Sequence, residues 1–465
     1  MNASRRSSFL WRGKKAFFRR GHWSGKARSG TVSMSADYPV NGNIISILNE
    51  RGLLDACTNA DMLGEVAQTP LRVYCGFDPT ADSLHLGNLL GIIVLSWFQR
   101  TGHTPVILLG GATGSIGDPS GKLIERLLLD TETIYLNTNK IGKNLEEILT
   151  LDSEQPAPLI MNNLDWFSDI TFLDFLRNVG RYARVGTMLA RDSVRSRLDS
   201  EAGLSFTEFS YQLLQGYDFM HLFKHHSVTV QIGGSDQWGN IVTGTELIRR
   251  IVSKEAAFGL TFPLLLKSDG KKFGKSEDGA VWLSRERLSP YKFYQFLMQT
   301  KDEDVIRLMR MLTFLPLEEI KEYEKMMDSK EYIPNTVQLR LAEEVTKFVH
   351  GADGLQQALT GTKGLLPGSD TELNIDVLES LVNVVPTALF SKAEVINAPL
   401  VDIMVNVGLR TSKGEVRRLI NGGGVRVNNE KVLDSSYCIR SSDLISGRML
   451  LISTGKKNKF LLQIE

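Results

Sequence analysis

The sequence predicts an α/β protein: a parallel sheet covered by helices on both faces, then an all-helical domain, then a small α+β domain. Three observations predict it. Short apolar runs alternate with helix-length runs as far as about residue 285, the rhythm of strand–helix–strand units whose strands are buried on both faces. From residue 286 to 360 only 3.6-residue periodicity remains. Beyond a Gly-, Thr- and Pro-rich stretch at 360–372, residues 398–465 return to a mixture of helix and strand signals.

In order along the chain, NIISILNERGLL (43–54) has helical spacing and reads as a leading amphipathic helix. RVYCGF (72–77) reads as a buried strand, NLLGIIVLSWFQRTG (88–102) as a buried helix stopped by Gly102, and VILLGG (106–111) as the next strand. VTVQIGG (228–234), GNIVTGTELIRRIV (239–252) and FPLLLK (262–267) continue as strand, helix and strand. The all-helical part opens at Ser289-Pro290, a helix-start signal, and continues through DVIRLMRMLTFL, LEEIKEYEKMM and NTVQLRLAEEVTKFVHG. Residues 361–397 read as a linker, and 399–432 as helix, turn, second helix, three glycines and a strand. Between Arg410 and Lys431 lie six basic residues against two acidic.

Composition narrows the function class. The 465 residues are 42% hydrophobic and 23% charged, ordinary for a globular chain. The longest apolar run, 89–98, is short of the roughly 20 residues that span a bilayer, and Gln99 and Arg100 follow it. Cys57, Cys75 and Cys438 stand far apart without a CxxC pair, so neither a zinc site nor a disulfide framework is indicated. The net charge of +1 hides an asymmetry: residues 1–36 hold nine basic residues and no acid, leaving −8 for the remainder. A nucleic acid must therefore meet a local basic patch rather than a general positive field. The Arg- and Ser-rich segment 1–36, with Phe9, Leu10, Trp11, Phe17 and Phe18 interspersed, has the composition of a mitochondrial transit peptide. A plastid leader and a basic RNA-touching arm are the other readings.

Four stretches carry the chemistry. GGATGSIGDPSGK (110–122) places five glycines at a strand's carboxyl end, where open α/β sheets bind ligands. It matches neither the Walker pattern nor GxGxxG. Asp118 is followed by Lys122 and Arg126 at i+4 and i+8. QIGGSDQWGN (231–240) is a second such turn, with Asp236 and Gln237 at its tip. GKKFGKSEDG (270–279) is a flexible lysine-bearing loop that could close on phosphates; alone it is a solvated charge run. SYQLLQGYDF (210–219) puts Tyr211, Gln215 and Asp218 on one helix face, where a polar ligand or an interdomain contact would satisfy them equally.

Together these stretches resemble the class I aminoacyl-tRNA synthetases, and among them the bacterial and organellar tyrosine enzymes. HLGN (85–88) is similar to the His-Ile-Gly-His signature and KFGKS (272–276) to the second, lysine-rich signature. The glycine turns and SFTEFSYQLLQGYDF are specific to the tyrosine enzymes, and the resemblance runs from about residue 43 to 465. It implies a Rossmann-like catalytic domain over 37–285, a helical anticodon-side domain over 286–360 and an S4-like RNA-binding domain over 398–465. It implies ATP with Mg²⁺, L-tyrosine and tRNA(Tyr) as substrates, no tightly bound cofactor, a homodimer and, with the leader, the mitochondrial matrix.

The resemblance also assigns residues. Tyr74 and Asp218 would hold the substrate's phenol; Asp118, Tyr211 and Gln215 its ammonium, with Gln237 lining the pocket. Cys75, Gly76, Asp78, Gly87, Asn88, Gly234 and Asp236 match positions on the nucleotide. His85 and Thr80 would touch the ATP phosphates, with the helix's free N–H groups behind them. Lys272, Lys275 and Ser276 would grip pyrophosphate in the transition state, joined by Lys122 and Arg126. Arg410, Lys413, Arg417 and Arg418 are the candidates for RNA. Asn88 departs from the pattern, standing where many relatives carry a second His. A non-catalytic RNA-binding protein on the same scaffold would have no need of His85 and Lys275. An indole-binding relative would have no need of a carboxylate at Asp218.

Overall fold

A computed structural model describes residues 43–121, 129–150, 155–201, 203–252, 257–276, 279–364, 373, 375–382, 385–455 and 458–465. The expected leader and Lys122 and Arg126 lie outside the described residues.

The chain opens with α1 (Ile44–Glu50), capped by the Asn43 side chain, an edge strand β1 (Ala56–Cys57) and α2 (Ala60–Val66). Then β2 (Arg72–Phe77), α3 (Leu86–Arg100), β3 (Thr104–Leu109), α4 (Thr131–Leu149) and β4 (Leu159–Asn162) alternate. Four short helices follow: α5 (Leu164–Phe167), α6 (Phe172–Asn178), α7 (Val185–Leu189) and α8 (Asp192–Leu198). The long α9 (Phe206–His226), β5 (Val230–Gly234), α10 (Trp238–Val252) and β6 (Phe258–Phe262) complete the sheet.

The sheet order is β1-β6-β5-β2-β3-β4, with β1 antiparallel on the edge and the other five strands parallel. The chain builds outward from β2 to β4, then returns to the other side of β2 with β5. That reversal opens a crevice beyond the carboxyl ends of β2 and β5, the place where such sheets take ligands. α3 is buried from Leu86 to Gln99 with few breaks, because it lies between the sheet and the helices that follow.

The strand expected at 262–267 lies earlier, at Phe258–Phe262. Pro263 cannot donate to a ladder, and the chain beyond it turns into a hairpin in which Phe273 N–H donates to Leu265 O and Lys267 N–H to Lys271 O. This hairpin carries the second signature and runs into β7 (Lys275–Ser276), paired antiparallel with β8 (Gly279–Ala280).

The helical part comprises α11 (Pro290–Met298), α12 (Asp302–Leu312), α13 (Leu317–Met327) and α14 (Thr336–Gly364). Ser289 caps α11 and Pro290 fills its first turn, as Ser-Pro predicts. α14 breaks at Gly351, whose φ of 69° and ψ of −179° are not helical, and resumes to Gly364.

The stretch read as a linker, 361–397, contains ordered elements. These are α15 (Ile375–Leu381), β9 (Thr387–Phe390) and α16 (Lys392–Val395). Leu373, Leu378 and Leu381 pack on Tyr291, Met449, Leu451 and Leu461, so their apolar side chains are buried by partners distant in sequence. Then come α17 (Leu400–Asn406), α18 (Lys413–Asn421), β10 (Val425–Val427), β11 (Glu430–Val432), β12 (Met449–Thr454) and β13 (Asn458–Ile464). Their sheet runs β11-β10-β12-β13-β9, with β9 parallel to β13 and the rest antiparallel.

Candidate active site

Beyond the carboxyl ends of β2 and β5 lies a cavity of about 560 Å³. It is lined by both glycine turns, the HLGN segment, one face of α9 and Lys272 of the hairpin. Of the residues expected to bind tyrosine or nucleotide, Tyr74, Cys75, Gly76, Asp78, Thr80, His85, Gly87, Asn88, Asp118, Tyr211, Gln215, Asp218, Gly234, Asp236, Gln237 and Lys272 all line it. Lys275 and Ser276 lie in β7, three and four residues beyond Lys272, with their side chains outside the described residues.

The floor is acidic and buried. Asp218 is 2% exposed, and its two oxygens accept from Trp166 Nε1 at 2.9 Å and Asn163 Nδ2 at 3.0 Å. Burial pushes its carboxyl up to about 8; the Asn163 and Trp166 hydrogen bonds oppose the rise, and the Asp78 charge adds to it. Beside it Tyr74, 1% exposed, has a buried hydroxyl with no hydrogen-bond partner among the described residues. Burial and the Asp218 charge raise that phenol well above its usual value. A buried hydroxyl is ordinarily satisfied, so the arrangement fits a small polar group that arrives with the ligand. Gln231 of β5, the register neighbour of Tyr74, adds to the same wall a second buried atom, Oε1, that has no partner among the described residues.

Higher in the cavity, Tyr211 donates its hydroxyl hydrogen to Asp78 Oδ2 at 2.7 Å, and Thr113 donates to Asp78 Oδ1 at 2.7 Å. Asp78, expected on the nucleotide, therefore orients Tyr211 and leaves the tyrosine oxygen's lone pairs as acceptors. Asp118 Oδ2 accepts from Gln237 Nε2 at 2.8 Å and Oδ1 from Ser120 N–H at 3.0 Å. Gln215 Oε1 accepts from Asn240 Nδ2 at 2.9 Å. The resulting cluster of oriented oxygens suits a cationic ammonium. Gly110 admits it: a Cβ there would fall 2.0 Å from Asp78 Oδ1.

The amino end of α3 differs from the open row of N–H donors expected. Leu86 N–H donates to Val281 O at 2.7 Å, Gly87 N–H to His85 Nδ1 at 3.1 Å, and Asn88 N–H to His85 O at 2.8 Å. His85 is the N-cap, and Asn88 Oδ1 accepts from the His85 N–H at 3.1 Å, completing a capping box. Asn at position 88 thus serves the helix end directly. The cap also selects a tautomer: with Nδ1 accepting, the neutral ring carries its proton on Nε2, a donor on the exposed side. The second signature touches the first through Gly274, whose φ is 96° and whose Cβ would meet Leu86 Cβ at 2.9 Å, so only glycine fits.

Sequence reasoning missed Asn163, Trp166, Thr113, Ser120, Asn240, Gln231 and Trp282. Asn240 closes the quoted QIGGSDQWGN turn and was within reach. Gln231 opens that same stretch, and Thr113 and Ser120 lie inside GGATGSIGDPSGK; Asn163, Trp166 and Trp282 stand at positions that no local pattern marks.

At the carboxyl end, α17, α18 and β10 follow one another as expected. Arg410 pairs with Glu415 at 3.2 Å and Lys413 with Asp402 at 2.8 Å, so both cations are engaged within the chain. Arg417 and Arg418 are exposed on α18 and make no ion pair among the described residues.

Comparison with known proteins agrees with this geometry. Residues 66–366 match the family model of tRNA synthetases class I (W and Y), and residues 377–462 that of the tyrosine–tRNA ligase SYY-like C-terminal domain. The tyrosine–tRNA ligase of Protochlamydia amoebophila is 55% identical over 422 residues, covering 91% of this chain and 99% of that protein. The chloroplastic/mitochondrial tyrosine–tRNA ligase of Arabidopsis thaliana is 54% identical over 430 residues, covering 91% of this chain and 84% of that one. The crystal structure of a C-terminally truncated Aspergillus nidulans mitochondrial tyrosyl-tRNA synthetase superposes with a TM-score of 0.61 at 31% identity, over 70% of this chain and 94% of that one. A parallel sheet with a ligand crevice at its switch point, both signatures in contact there, and these matches along nearly the whole chain lead to one assignment: the chain belongs to the tyrosine–tRNA ligase family of class I aminoacyl-tRNA synthetases.

Proposed function

We propose that the chain activates L-tyrosine with ATP to tyrosyl-adenylate and pyrophosphate, then transfers tyrosine to the terminal ribose hydroxyl of tRNA(Tyr). The observation that carries the choice of amino acid is the unpartnered, buried Tyr74 hydroxyl beside the Asp218 carboxyl. A phenol supplies both an acceptor and a donor to that pair. Phenylalanine leaves both unpaired, which supports rejection by ~10⁴–10⁵ without editing. The ammonium would lie among Asp118, Gln215 and the Tyr211 oxygen that Asp78 orients.

The tyrosine carboxylate attacks the α-phosphorus and pyrophosphate leaves. The protein's work is placement and charge: Thr80 and His85 Nε2–H donate toward the phosphates, and Lys272, Lys275 and Ser276 hold the leaving pyrophosphate, with Lys122 and Arg126 adding charge. Gly87 and Gly234 let the nucleoside lie against backbone, with Cys75, Gly76, Asn88 and Asp236 around it. Mg²⁺ would arrive with ATP, bound chiefly by the phosphate oxygens, and neutralise their charge. ATP–pyrophosphate exchange tested with all twenty amino acids decides the reading: exchange driven by tyrosine alone is expected, and exchange driven by another amino acid overturns it.

Transfer requires tRNA on the basic tail. Replacing Arg417 and Arg418 together by Ala should raise the KM for tRNA in aminoacylation and leave pyrophosphate exchange unchanged. It should also lower the slope of log affinity against log salt by about 1 per arginine. An unchanged slope would remove both from the RNA surface.

A homodimer is the second expectation. Phe172, Leu173, Leu176, Val185 and Leu189 on α6 and α7 are all exposed, Leu173 to 75%. Such an apolar concentration suits an interface with a second copy. Light scattering should give twice the chain mass, and Leu173→Glu should give one. The relatives named chloroplastic/mitochondrial and mitochondrial, with the acid-free leader, support import into the mitochondrial matrix. Among the described residues no helix is long and apolar enough to cross a membrane.

A further inference from the structure

We propose that Asp82, Arg287 and Trp282 form a chain of positioning residues that holds His85 in place for ATP. The proposal rests on the reading of His85 given above. His85 is exposed, and the ring hydrogen bond described above ties it to its own helix end. Lateral support comes from the segment just after the lysine hairpin. Leu86 N–H donates to Val281 O, Leu283 N–H to Leu84 O at 2.9 Å and Ser284 N–H to Ser83 Oγ at 3.1 Å. These bonds lay 281–284 antiparallel to 83–86 and set Trp282 directly opposite His85. The two rings are 6.4 Å apart between centroids and tilted by 53°.

Trp282 is itself held. The Arg287 guanidinium lies 5.3 Å from its ring centroid, within the range of a cation–π contact. Arg287 in turn directs Nε and Nη2 to the same oxygen of Asp82, at 2.6 and 2.5 Å, while Lys140 takes the other oxygen at 3.3 Å. Asp82 lies three residues before His85. The chain therefore starts and ends on one loop; Trp282 borders the cavity, while Asp82 and Arg287 stand outside its lining.

The Asp82 pair is partly exposed, at 23% and 47%. Pairs of that kind contribute little to stability, so removing one should leave the fold intact and show in kinetics. Displacing a reacting group by about 1 Å can cost up to ~10²-fold.

The test is a double-mutant cycle on the full-length protein, read by tyrosine-dependent ATP–pyrophosphate exchange with kcat and the KM values for ATP and tyrosine resolved. Asp82→Asn should lower kcat/KM for ATP about tenfold, leaving the KM for tyrosine and the melting midpoint unchanged. Asp82→Glu should recover most of the loss. Trp282→Phe should retain more activity than Trp282→Leu. In a His85→Ala background, Asp82→Asn should cost less than about twofold, because the two residues act as one unit. An equal loss in both backgrounds, or none in either, overturns the chain. Absence of tyrosine-dependent exchange in the unmodified protein, or an unimpaired His85→Ala variant, overturns instead the reading on which it rests.

Discussion

Asp218→Ala should reduce kcat/KM for tyrosine in pyrophosphate exchange by about 10⁴, and the preference over phenylalanine should collapse with it. Three features set the size of the effect. The carboxyl is 2% exposed, so water cannot replace it cheaply. Its removal leaves Trp166 Nε1 and Asn163 Nδ2 without their acceptor. Tyr74 then stands alone at the phenol end, and a neutral phenyl ring fits as well as a phenol. A variant that still prefers tyrosine strongly would place the recognition of the hydroxyl elsewhere.

The same residue has a measurable pH signature in the ligand-free protein. Its carboxyl titrates near 8 when folded, against 3.8 for the ordinary group. The folded state therefore favours the protonated form. The stabilising difference is full below pH 4 and is lost progressively as pH rises toward 8. Asp218→Asn, isosteric and uncharged, should flatten the decline of the melting midpoint between pH 5 and pH 8. Equal slopes for the two proteins would place the carboxyl's titration in the ordinary range.

Lys275→Ala should slow adenylate formation by about 10²–10³, with little change in the dissociation constant of tyrosine. Lys272→Ala should behave alike, and comparison of the two divides the load between them. Lys272 is exposed at the rim of the cavity, where its charge partly offsets the rise that burial and Asp118 impose on Asp236. The hairpin that bears it is anchored at two points, beside Lys272 and at its turn. Phe273 is buried against Phe296, and Ser268 N–H donates to Asp304 Oδ1 at 3.0 Å. Gly270 and Gly274 supply positive φ on either side of Lys272. Cations on such a loop can meet charge that develops on the leaving group while contributing little to tyrosine binding. A parallel loss of tyrosine affinity would show that the lysines shape the pocket itself.

Much of this was legible in the chain. The strand–helix rhythm, the two glycine turns and the Tyr211/Gln215/Asp218 face are local patterns, and local patterns are set by backbone period and by glycine's conformational freedom. Ser289-Pro290 announced α11 for the same reason. The strand expected at 262–267 lay four residues earlier because Pro263 ends the ladder, and an apolar run does not reveal where pairing stops. The stretch read as a linker contains α15, β9 and α16, and Leu378 and Leu381 of α15 are buried by residues about seventy positions later in the chain.

The sequence by itself determined most of the elements that build the sheet and most of the side chains that reach the crevice, because these follow from periodicities and turn chemistry spanning a few residues. Only the tertiary structure decided what those side chains do for one another. Tyr211 meets Asp78 across 133 positions, Gln237 meets Asp118 across 119, and Asn163 meets Asp218 across 55. Hydrogen bonds of that reach depend on strand order and on the angle at which helices cross the sheet. Those are properties of the packed core as a whole, and no short stretch of residues encodes them.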